Sequence, residues 1–566
     1  MTLNPAPRAG GQLLADALAI NGADTVFCVP GESYLAVLDG LYEHRDSMRV
    51  ITCRHEAAAA NMAEAYGKLT GRPGICFVTR GPGATHGSTG VHTARQDSTP
   101  MIMFVGQVGR DAAQRETFQE VDYRQMFGSL AKGVIQIEDA RRVPELVGYA
   151  FQLAVAGRPG PVVVSLPEDM LTDVVQAADS PPWQAVQAAP DASQMQRLAS
   201  LLAHAERPMM IVGGSGWTDQ AAHDITQFAQ AHGLPVACSF RRQDIIDNHH
   251  PCYAGDLSLA PNPALAQRVR DSDFLLVVGT RLGEASTQGF ALIANPDPGK
   301  PMVHVLAGAE ELGRVYRPAL AINAGPAEFA AAAARLPAAA PAAHAVRAAW
   351  CSQARSDYQQ WQAVTEVPGP VNMGHIVHHV RTQVADEAII TNGAGNYAIW
   401  VHRYFAYRRR GTQLAPTCGA MGYGVPAAIA AQIVHPERQV VCFAGDGCFL
   451  MSGQELATVA RYALPIIFIV VNNGMYGTIR MHQEKTYPAR VIGTELTNPD
   501  FAHYAQSFGL HGVTVTDTAQ FAPAFDAALR ERRATLIEIQ VDPQAITPAA
   551  TLDQLRRQAT PASAAH

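Results

Sequence analysis

Residues 439–473 have the sequence QVVCFAGDGCFLMSGQELATVARYALPIIFIVVNN, and this stretch predicts one βαβ unit. Its first apolar strand ends in the turn Gly445-Asp446-Gly447, where two glycines let the backbone pass close to a bound group. Its second apolar strand ends in Asn472-Asn473. Because such crossovers are right-handed, both strand ends lie at one edge of a parallel sheet, where open α/β sheets bind ligands.

The side chains of Asp446 and Asn473, which are 27 residues apart, predict a site for a hard cation at that edge. Magnesium takes a few carboxylate and amide oxygens as ligands and completes its octahedron with phosphate and water oxygens. The alternative is that Gly-Asp-Gly forms an ordinary turn without a ligand. The spacing of the two residues, together with the rest of the chain, favours the metal site.

A GDG motif followed by NN resembles the signature of thiamine-diphosphate enzymes, and the resemblance covers nearly the whole chain. It is closest to the large-subunit acetolactate synthase group. The resemblance implies that Asp446, Asn473 and the main-chain carbonyl of Met475 bind magnesium. It also implies a cradle for thiamine diphosphate that starts a helix, where N–H groups attract anions. The predicted cofactor-binding residues are Gly393, Gly395, Asn396, Tyr397, Gly445, Gly447 and Asn473, although related synthases carry Gln-His in place of Asn396-Tyr397.

Strand-like runs alternate with helical stretches, which predicts an α/β fold of mostly parallel sheets with helices on both faces. Two stretches rich in Ala and Pro, 175–190 and 336–349, are interpreted as linkers. With the resemblance they predict three domains and a tail. These are a pyrimidine-binding domain at 1–175, a Rossmann-like central domain at 191–335, a diphosphate- and magnesium-binding domain at 365–546, and a loosely held tail at 547–566.

The composition excludes several classes of protein. The formal net charge is -7 and the pI is about 6.3, which gives no reason to expect binding to nucleic acid or to anionic membranes. Nine scattered cysteines without a CxxC pair fit thiols in a reducing cytosol. No apolar run is long enough to span a membrane, and the first residues lack the apolar core of a signal peptide. We therefore expect a cytoplasmic protein.

The resemblance also assigns the chemistry of the thiazolium and pyrimidine rings. This chemistry requires a protein carboxyl group hydrogen-bonded to the pyrimidine, and the matching residue is Glu56, which follows Arg54-His55. The alternative is an ordinary first-turn glutamate favoured by the helix dipole. In the segment 419–424, Met421 matches the apolar wedge that bends the cofactor, and the Gly419 carbonyl matches an acceptor for its amino group. Met421 could also be core filler.

The choice of reaction depends on Phe118-Gln119, which fall about where pyruvate-decarboxylase-type relatives carry two histidines. An apolar ring and a neutral amide are poor proton donors, so the carbanion formed after CO2 loss would attack a second carbonyl. We therefore predict a carboligase, an acetolactate synthase-like transferase that acts on a 2-oxo acid, with pyruvate preferred. The alternative is a 2-oxo acid decarboxylase or C–C lyase, similar to benzoylformate decarboxylase or 2-hydroxyacyl-CoA lyase. A non-catalytic relative would be expected to lack Glu56 or Asp446.

Three further expectations come from departures and from domain placement. Thr478 and His482 stand where acetolactate synthases carry Met and Trp, which predicts a more polar acceptor pocket, unless His482 is an ordinary surface histidine. FAD binding stays open, because Gly279-Thr280-Arg281 favours it and Leu306-Ala307-Gly308, in place of an acidic pair, counts against it. Because Glu56 and the metal residues lie in different domains, the resemblance implies a homodimer or homotetramer with active sites between subunits.

Overall fold

The computed structural model describes residues 6–559, and its contacts divide the chain into two compact units, Met1–Gln187 and Ala188–His566. The first unit contains one six-stranded parallel sheet, and the second contains two. Helices connect most successive strands, so the predicted α/β fold with three parallel sheets is confirmed. Within residues 6–559, no helix combines the length and apolarity needed to cross a membrane.

The sheet of the first unit has the strand order β3-β2-β4-β5-β7-β6, and β1 pairs with β8 beside it. Its central strand β4, GICFV, is fully buried, as expected of a strand covered by helices on both faces. The strands are β1 (Arg8–Ala9), β2 (Thr25–Cys28), β3 (Arg49–Thr52), β4 (Gly74–Val78), β5 (Met101–Gln107), β6 (Gly133–Gln136), β7 (Pro161–Pro167) and β8 (Val174–Val175). The helices are α1 (Gly10–Ile20), α2 (Leu35–Glu43), α3 (Glu56–Thr70), α4 (Gly81–Asp97), α5 (Tyr123–Phe127) and α6 (Val143–Val155).

The first sheet of the second unit has the order β11-β10-β9-β12-β13-β14, with the apolar strand FLLVV buried at its centre. Its strands are β9 (Pro208–Val212), β10 (Val236–Ser239), β11 (Tyr253–Leu257), β12 (Phe274–Val278), β13 (Met302–Leu306) and β14 (Leu320–Asn323). Its helices are α7 (Ala192–Ala203), α8 (Asp219–His232), α9 (Pro263–Asp271), α10 (Pro326–Ala333) and α11 (Pro341–Trp361).

The last sheet has the order β16-β15-β17-β18-β20-β19 and contains the predicted βαβ unit as β17 and β18. Its strands are β15 (Ile389–Asn392), β16 (Gln413–Leu414), β17 (Val440–Gly445), β18 (Ile467–Asn472), β19 (His511–Val515) and β20 (Thr535–Gln540). The helices are α12 (Met373–Gln383), α13 (Tyr397–Tyr404), α14 (Gly424–Val434), α15 (Asp446–Leu450), α16 (Leu456–Arg461), α17 (Gly477–Thr486), α18 (Phe501–Ser507), α19 (Thr518–Glu531) and α20 (Leu552–Gln558).

The prediction of a second linker at 336–349 is wrong over its C-terminal part, because α11 begins at Pro341. Alanine is the best helix former and proline is favoured in the first helical turn, so this composition suits a helix as well as a linker. The Arg347 side chain is only 1% exposed. It fastens α11 to the C-terminal ends of α7 and α8 by donating to the main-chain carbonyls of Leu202, Ala205 and His232. The first predicted linker contains no helix or strand at 176–190.

The predicted tail is also more ordered than expected, because α20 packs onto the last domain. Leu552 and Leu555 are buried in a cluster with Met475 and Met481. Arg556 donates two hydrogen bonds to the buried carboxylate of Glu484, at 2.8 and 2.7 Å. This helix is therefore held by apolar burial and an ion pair, while residues 560–566 of the predicted tail lie outside the described residues.

Candidate active site

The ends of β17 and β18 are neighbours at the carboxyl edge of the last sheet, where Gly445 pairs with Val471. Asp446 begins α15 directly after β17 and is 3% exposed. Its Oδ1 accepts the N–H of Gly447 at 2.8 Å. Its Oδ2 accepts the N–H of Gly474 and a side-chain N–H of Asn498, both at 2.9 Å. The geometry therefore holds this carboxylate in a fixed orientation at the predicted edge.

The electrostatics of Asp446 suit a cation. Burial raises the pKa of this carboxyl group, against the opposing effect of the hydrogen bonds that it accepts. Those donors are neutral amides, so these contacts supply no positive charge to pair with the ionised carboxylate. Asn473, whose Oδ1 accepts the N–H of Met475 at 3.2 Å, follows β18 at the same edge. These oxygen donors fit a hard cation such as magnesium.

Sequence reasoning missed Asn498, which links the two motifs. One side-chain nitrogen bonds to both Asp446 Oδ2 and Asn472 Oδ1 at 2.9 Å. The Oδ1 of Asn498 is buried and has no hydrogen-bond partner, which marks an acceptor that is available to a ligand. The amide nitrogen of Asn472 donates to Glu538 at 2.7 Å. No motif spacing pointed to Asn498, because it lies in the loop before α18.

The predicted diphosphate loop follows β15. The side chain of Tyr397 is buried and contacts this loop through its hydroxyl group. The Tyr397 hydroxyl accepts the N–H of Gly393 at 3.0 Å and donates to Cys448 Sγ at 3.4 Å. A Cβ on Gly445 would lie 2.9 Å from the Tyr397 ring, so glycine is required where the two segments touch. Tyr397 therefore supports the loop. Its hydroxyl also accepts the Gly393 N–H, which was expected to face the diphosphate. Gly447 follows within the first turn of α15.

Of the predicted pocket residues, Thr478 contacts the predicted diphosphate cradle, whereas His482 lies at the surface. Thr478 donates from its hydroxyl to Asn396 Oδ1 at 2.8 Å. His482, one turn further along α17, is exposed. Met421 is half-buried against the core of the last domain, and Gly419 adopts a positive φ of 71° at an exposed position. Gly395 has a φ of 145°, which a side chain would disfavour.

In the first unit, Glu56 begins α3 directly after its N-cap residue, His55. The Nδ1 atom of His55 accepts the N–H of Ala57 at 3.1 Å, which satisfies one donor of the first helical turn. Glu56 Oε2 lies 2.9 Å from Nδ1 of His86, which comes from α4. The rings of His55 and His86 stack, with centroids 4.6 Å apart. Glu56 therefore has an imidazole partner that sequence reasoning missed.

Phe118 and Gln119 lie in the loop between β5 and α5. This loop contacts the start of α4, the helix that carries His86. The Gln119 carbonyl accepts the N–H of Gly81 at 3.0 Å, and its backbone adopts a positive φ of 65°. The Gln119 Oε1 atom is buried without a hydrogen-bond partner, whereas the Phe118 side chain is 73% exposed. His86 follows Gly83 by three residues on α4, and this helical spacing is the sequence signal that could have pointed to it.

At the carboxyl edge of the central sheet, the segment 306–308 offers no acidic side chain to a flavin nucleotide. The main-chain carbonyls of Leu306 and Ala307 at the end of β13 both accept hydrogen bonds from Asn323 at 2.9 Å. The segment 306–308 contains no carboxylate that could hold a ribose. We therefore assign no step of the reaction to a flavin.

Comparison with known proteins covers all three sheets. Three family profiles match: "Thiamine pyrophosphate enzyme, N-terminal TPP binding domain" at residues 8–126, its central domain at 195–333, and its C-terminal TPP binding domain at 393–539. The acetolactate synthase large subunit of Parasynechococcus marenigrum is 31% identical over 551 residues, which cover 95% of this chain and 88% of that protein. The acetolactate synthase isozyme 2 large subunit of Escherichia coli is 30% identical over 544 residues, which cover 94% and 95%.

The likeness therefore extends along almost the entire chain and includes the segments that carry Glu56 and Asp446. A similar relation holds for the acetolactate synthase large subunit of Lactococcus lactis, which is 28% identical over 94% of this chain. The orphaned acceptor on Asn498 and the buried carboxylate of Asp446 fit a cation such as Mg²⁺, the partner of the diphosphate end of such a cofactor. The chain belongs to the thiamine pyrophosphate enzyme family and is an acetolactate synthase-like, thiamine diphosphate-dependent enzyme of that family.

Proposed function

We propose that this enzyme decarboxylates pyruvate and joins the remaining two-carbon unit to a second pyruvate, which gives acetolactate. The observation that carries the proposal is the full-length likeness to acetolactate synthase large subunits, over 94–95% of this chain. The neutral side chains of Phe118 and Gln119 support it, because neither supplies a strong proton donor at the start of α4. A small 2-oxo acid is accordingly the substrate class.

We assign the diphosphate end of the cofactor to the last domain. Asp446, Asn473 and the carbonyl of Met475 would hold Mg²⁺, and the loop from Gly393 to Asn396 would hold the diphosphate. When bound, thiamine diphosphate supplies the carbon nucleophile and the electron sink for the reaction. Asp446 and Asn473 contribute oxygen ligands at a carboxyl sheet edge. The main-chain N–H groups at the start of α13 attract an anion.

We assign the pyrimidine end to the first unit. Glu56 would hold a proton at the pyrimidine nitrogen and take it back in each turnover. Its side chain as a whole is 13% exposed. Met421 and the Gly419 carbonyl would bend and orient the cofactor from the last domain, and Thr478 and His482 would line the acceptor pocket.

One observation favours a second candidate function, a decarboxylase or C–C lyase. His86 places an imidazole in hydrogen-bond contact with Glu56, and imidazole is the side chain best suited to proton transfer near neutral pH. A proton donor in the active site would direct the reaction toward an aldehyde instead of a new carbon–carbon bond. The two candidates share the first step, loss of CO2, and differ in the second.

The test is a panel of 2-oxo acids, each assayed for CO2 release and for the identity of its product. The carboligase proposal expects CO2 release from pyruvate with acetolactate as the main product. The double variant Phe118→His/Gln119→His should then move the products toward acetaldehyde, with little change in total CO2 release. Release of CO2 from another 2-oxo acid, with the free aldehyde as product, would instead establish the second candidate.

We further propose a homodimer or homotetramer in which Glu56 of one copy and Asp446 of another copy serve one active site. Mixing Glu56→Gln chains with Asp446→Ala chains tests it, because a mixed dimer then has one intact site. Recovery of activity on mixing supports shared sites, and two inactive variants that stay inactive together refute them.

The nine cysteines are all unbridged, which fits the proposed cytoplasmic location. Flavin is tested by the visible absorbance of the purified protein.

A further inference from the structure

In the first unit, His86 contacts the proposed catalytic glutamate, and the family likeness assigns no role to it. Its Nδ1 atom lies 2.9 Å from Glu56 Oε2. The His86 side chain is 50% exposed, while that of Glu56 is 13% exposed. A half-exposed ring, which can carry a proton on either nitrogen, therefore contacts the carboxyl group of a mostly covered side chain.

Helix geometry explains why His86 reaches Glu56. Gly83, His86 and Gly90 are spaced by three and four residues, so they share one face of α4. A Cβ on Gly90 would lie 2.4 Å from the Cβ of Ala60, so glycine lets α4 approach α3 closely. A Cβ on Gly83 would lie 3.6 Å from Glu56 Oε1. His86 lies between these two contacts on the face that meets α3.

A metal ion is the other reading of this cluster, since His55, Glu56 and His86 form a group that could hold one in the described part of the chain. The N-cap contact of His55 argues against it. Its Nδ1 lone pair accepts the N–H of Ala57, so in the neutral ring the proton is on Nε2. Burial, together with the neighbouring His86, lowers the pKa of His55, so this ring is neutral near pH 7. Neither nitrogen of His55 then offers a lone pair to a metal.

We propose that His86 is a positioning residue that relays protons between the Glu56 carboxyl group and solvent. The inference depends on the role proposed above for Glu56. When Glu56 releases a proton, its Oε2–H bond breaks and an Nδ1–H bond forms on His86, while Nε2 of the same ring passes its proton to water. When Glu56 takes a proton back, both transfers run in reverse and the ring regains its first tautomer. No electrons are transferred, and the charges balance over the cycle.

The test compares His86→Ala with His86→Asn by deuterium exchange at C2 of bound thiamine diphosphate. An asparagine amide can donate to Glu56 from about the position of Nδ1, but it cannot transfer a proton. The relay predicts that both variants slow exchange by about 100-fold, the low end of the scale for general acid–base assistance. Added imidazole should restore the rate of His86→Ala. A wild-type rate in His86→Asn, or no rescue by imidazole, would overturn the relay.

A second readout needs no cofactor. In the apoprotein labelled with ¹⁵N at histidine, the Nδ1 resonance of His86 should move on Glu56→Gln, because this variant removes the carboxylate next to it. An unmoved resonance would overturn the contact itself. Glu56→Gln also separates the two proposals in the exchange assay. Normal exchange in Glu56→Gln refutes the role of Glu56, whereas slow exchange there with normal exchange in His86→Ala refutes only the relay.

Discussion

The two parts of the candidate active site, around Asp446 and around Glu56, place their carboxylates in opposite environments. Asp446 is buried at a sheet edge and held by three N–H donors, which fix its orientation. Glu56 begins a helix and contacts a half-exposed imidazole that can gain and lose a proton. The first arrangement suits a permanent charge that binds a cation, and the second suits a proton that moves. Burial and the kind of partner, rather than the carboxylate itself, separate binding from catalysis.

The largest expected effect is on the binding end. Asp446→Ala removes the buried carboxylate that we assign to Mg²⁺, so thiamine diphosphate affinity should fall by about two to four powers of ten, the scale for breaking a buried charge pair. Calorimetric titration with thiamine diphosphate and Mg²⁺ measures it. Asp500→Ala is the matched control, because it removes an exposed N-cap carboxylate of α18 and should leave the affinity unchanged. Equal affinities in the two variants would contradict the assignment.

The proton-moving end should show the converse pattern. Glu56→Gln keeps the size of the side chain and should bind thiamine diphosphate nearly normally, but C2 proton exchange should slow by about two to four powers of ten. Quenched deuterium labelling measures the rate. The control is Glu145→Gln, an exposed residue of the same unit, which should exchange at the wild-type rate. A loss of affinity instead of rate in Glu56→Gln would erase the contrast between the two ends.

The acceptor pocket should give an intermediate effect. If His482 lines this pocket in the assembled enzyme, His482→Trp should shift acceptor choice from pyruvate toward 2-oxobutyrate. One additional methylene in an apolar pocket changes the preference by about 10- to 200-fold. Competition between the two acceptors, followed by product analysis, measures the ratio. His503→Trp, at an exposed position on α18, is the control. An unmoved ratio in His482→Trp would place His482 outside the pocket.

The smallest expected effect concerns a neutral contact at the binding end. Thr478→Val removes the hydrogen bond to Asn396 Oδ1 and should weaken thiamine diphosphate binding by about 2- to 10-fold, the range expected for one neutral hydrogen bond. Thr478→Ser keeps the hydroxyl group and should retain the affinity. The same calorimetric titration distinguishes them. If Val and Ser behave alike, the contact does not support the cradle.

Sequence patterns predicted the parallel sheets and the approach of Asp446 to Asn473, because strand order and crossover handedness follow from local rules. They failed where one composition suits two structures. The Ala- and Pro-rich segment interpreted as a linker forms the start of α11, since its fate depends on whether Arg347 finds buried carbonyl partners. Asn498 and His86 were missed for a related reason. Each meets its partner through tertiary packing, which a single motif does not encode.

The central claim is that carbon–carbon bond formation exceeds protonation in this active site, despite the imidazole beside Glu56. The direct measurement is the ratio of acetolactate to acetaldehyde formed by the wild-type enzyme from ¹³C-labelled pyruvate, followed by NMR with thiamine diphosphate and Mg²⁺ present. Our account predicts that acetolactate exceeds acetaldehyde throughout the reaction. A product mixture in which acetaldehyde predominates would contradict it and would make the enzyme a decarboxylase.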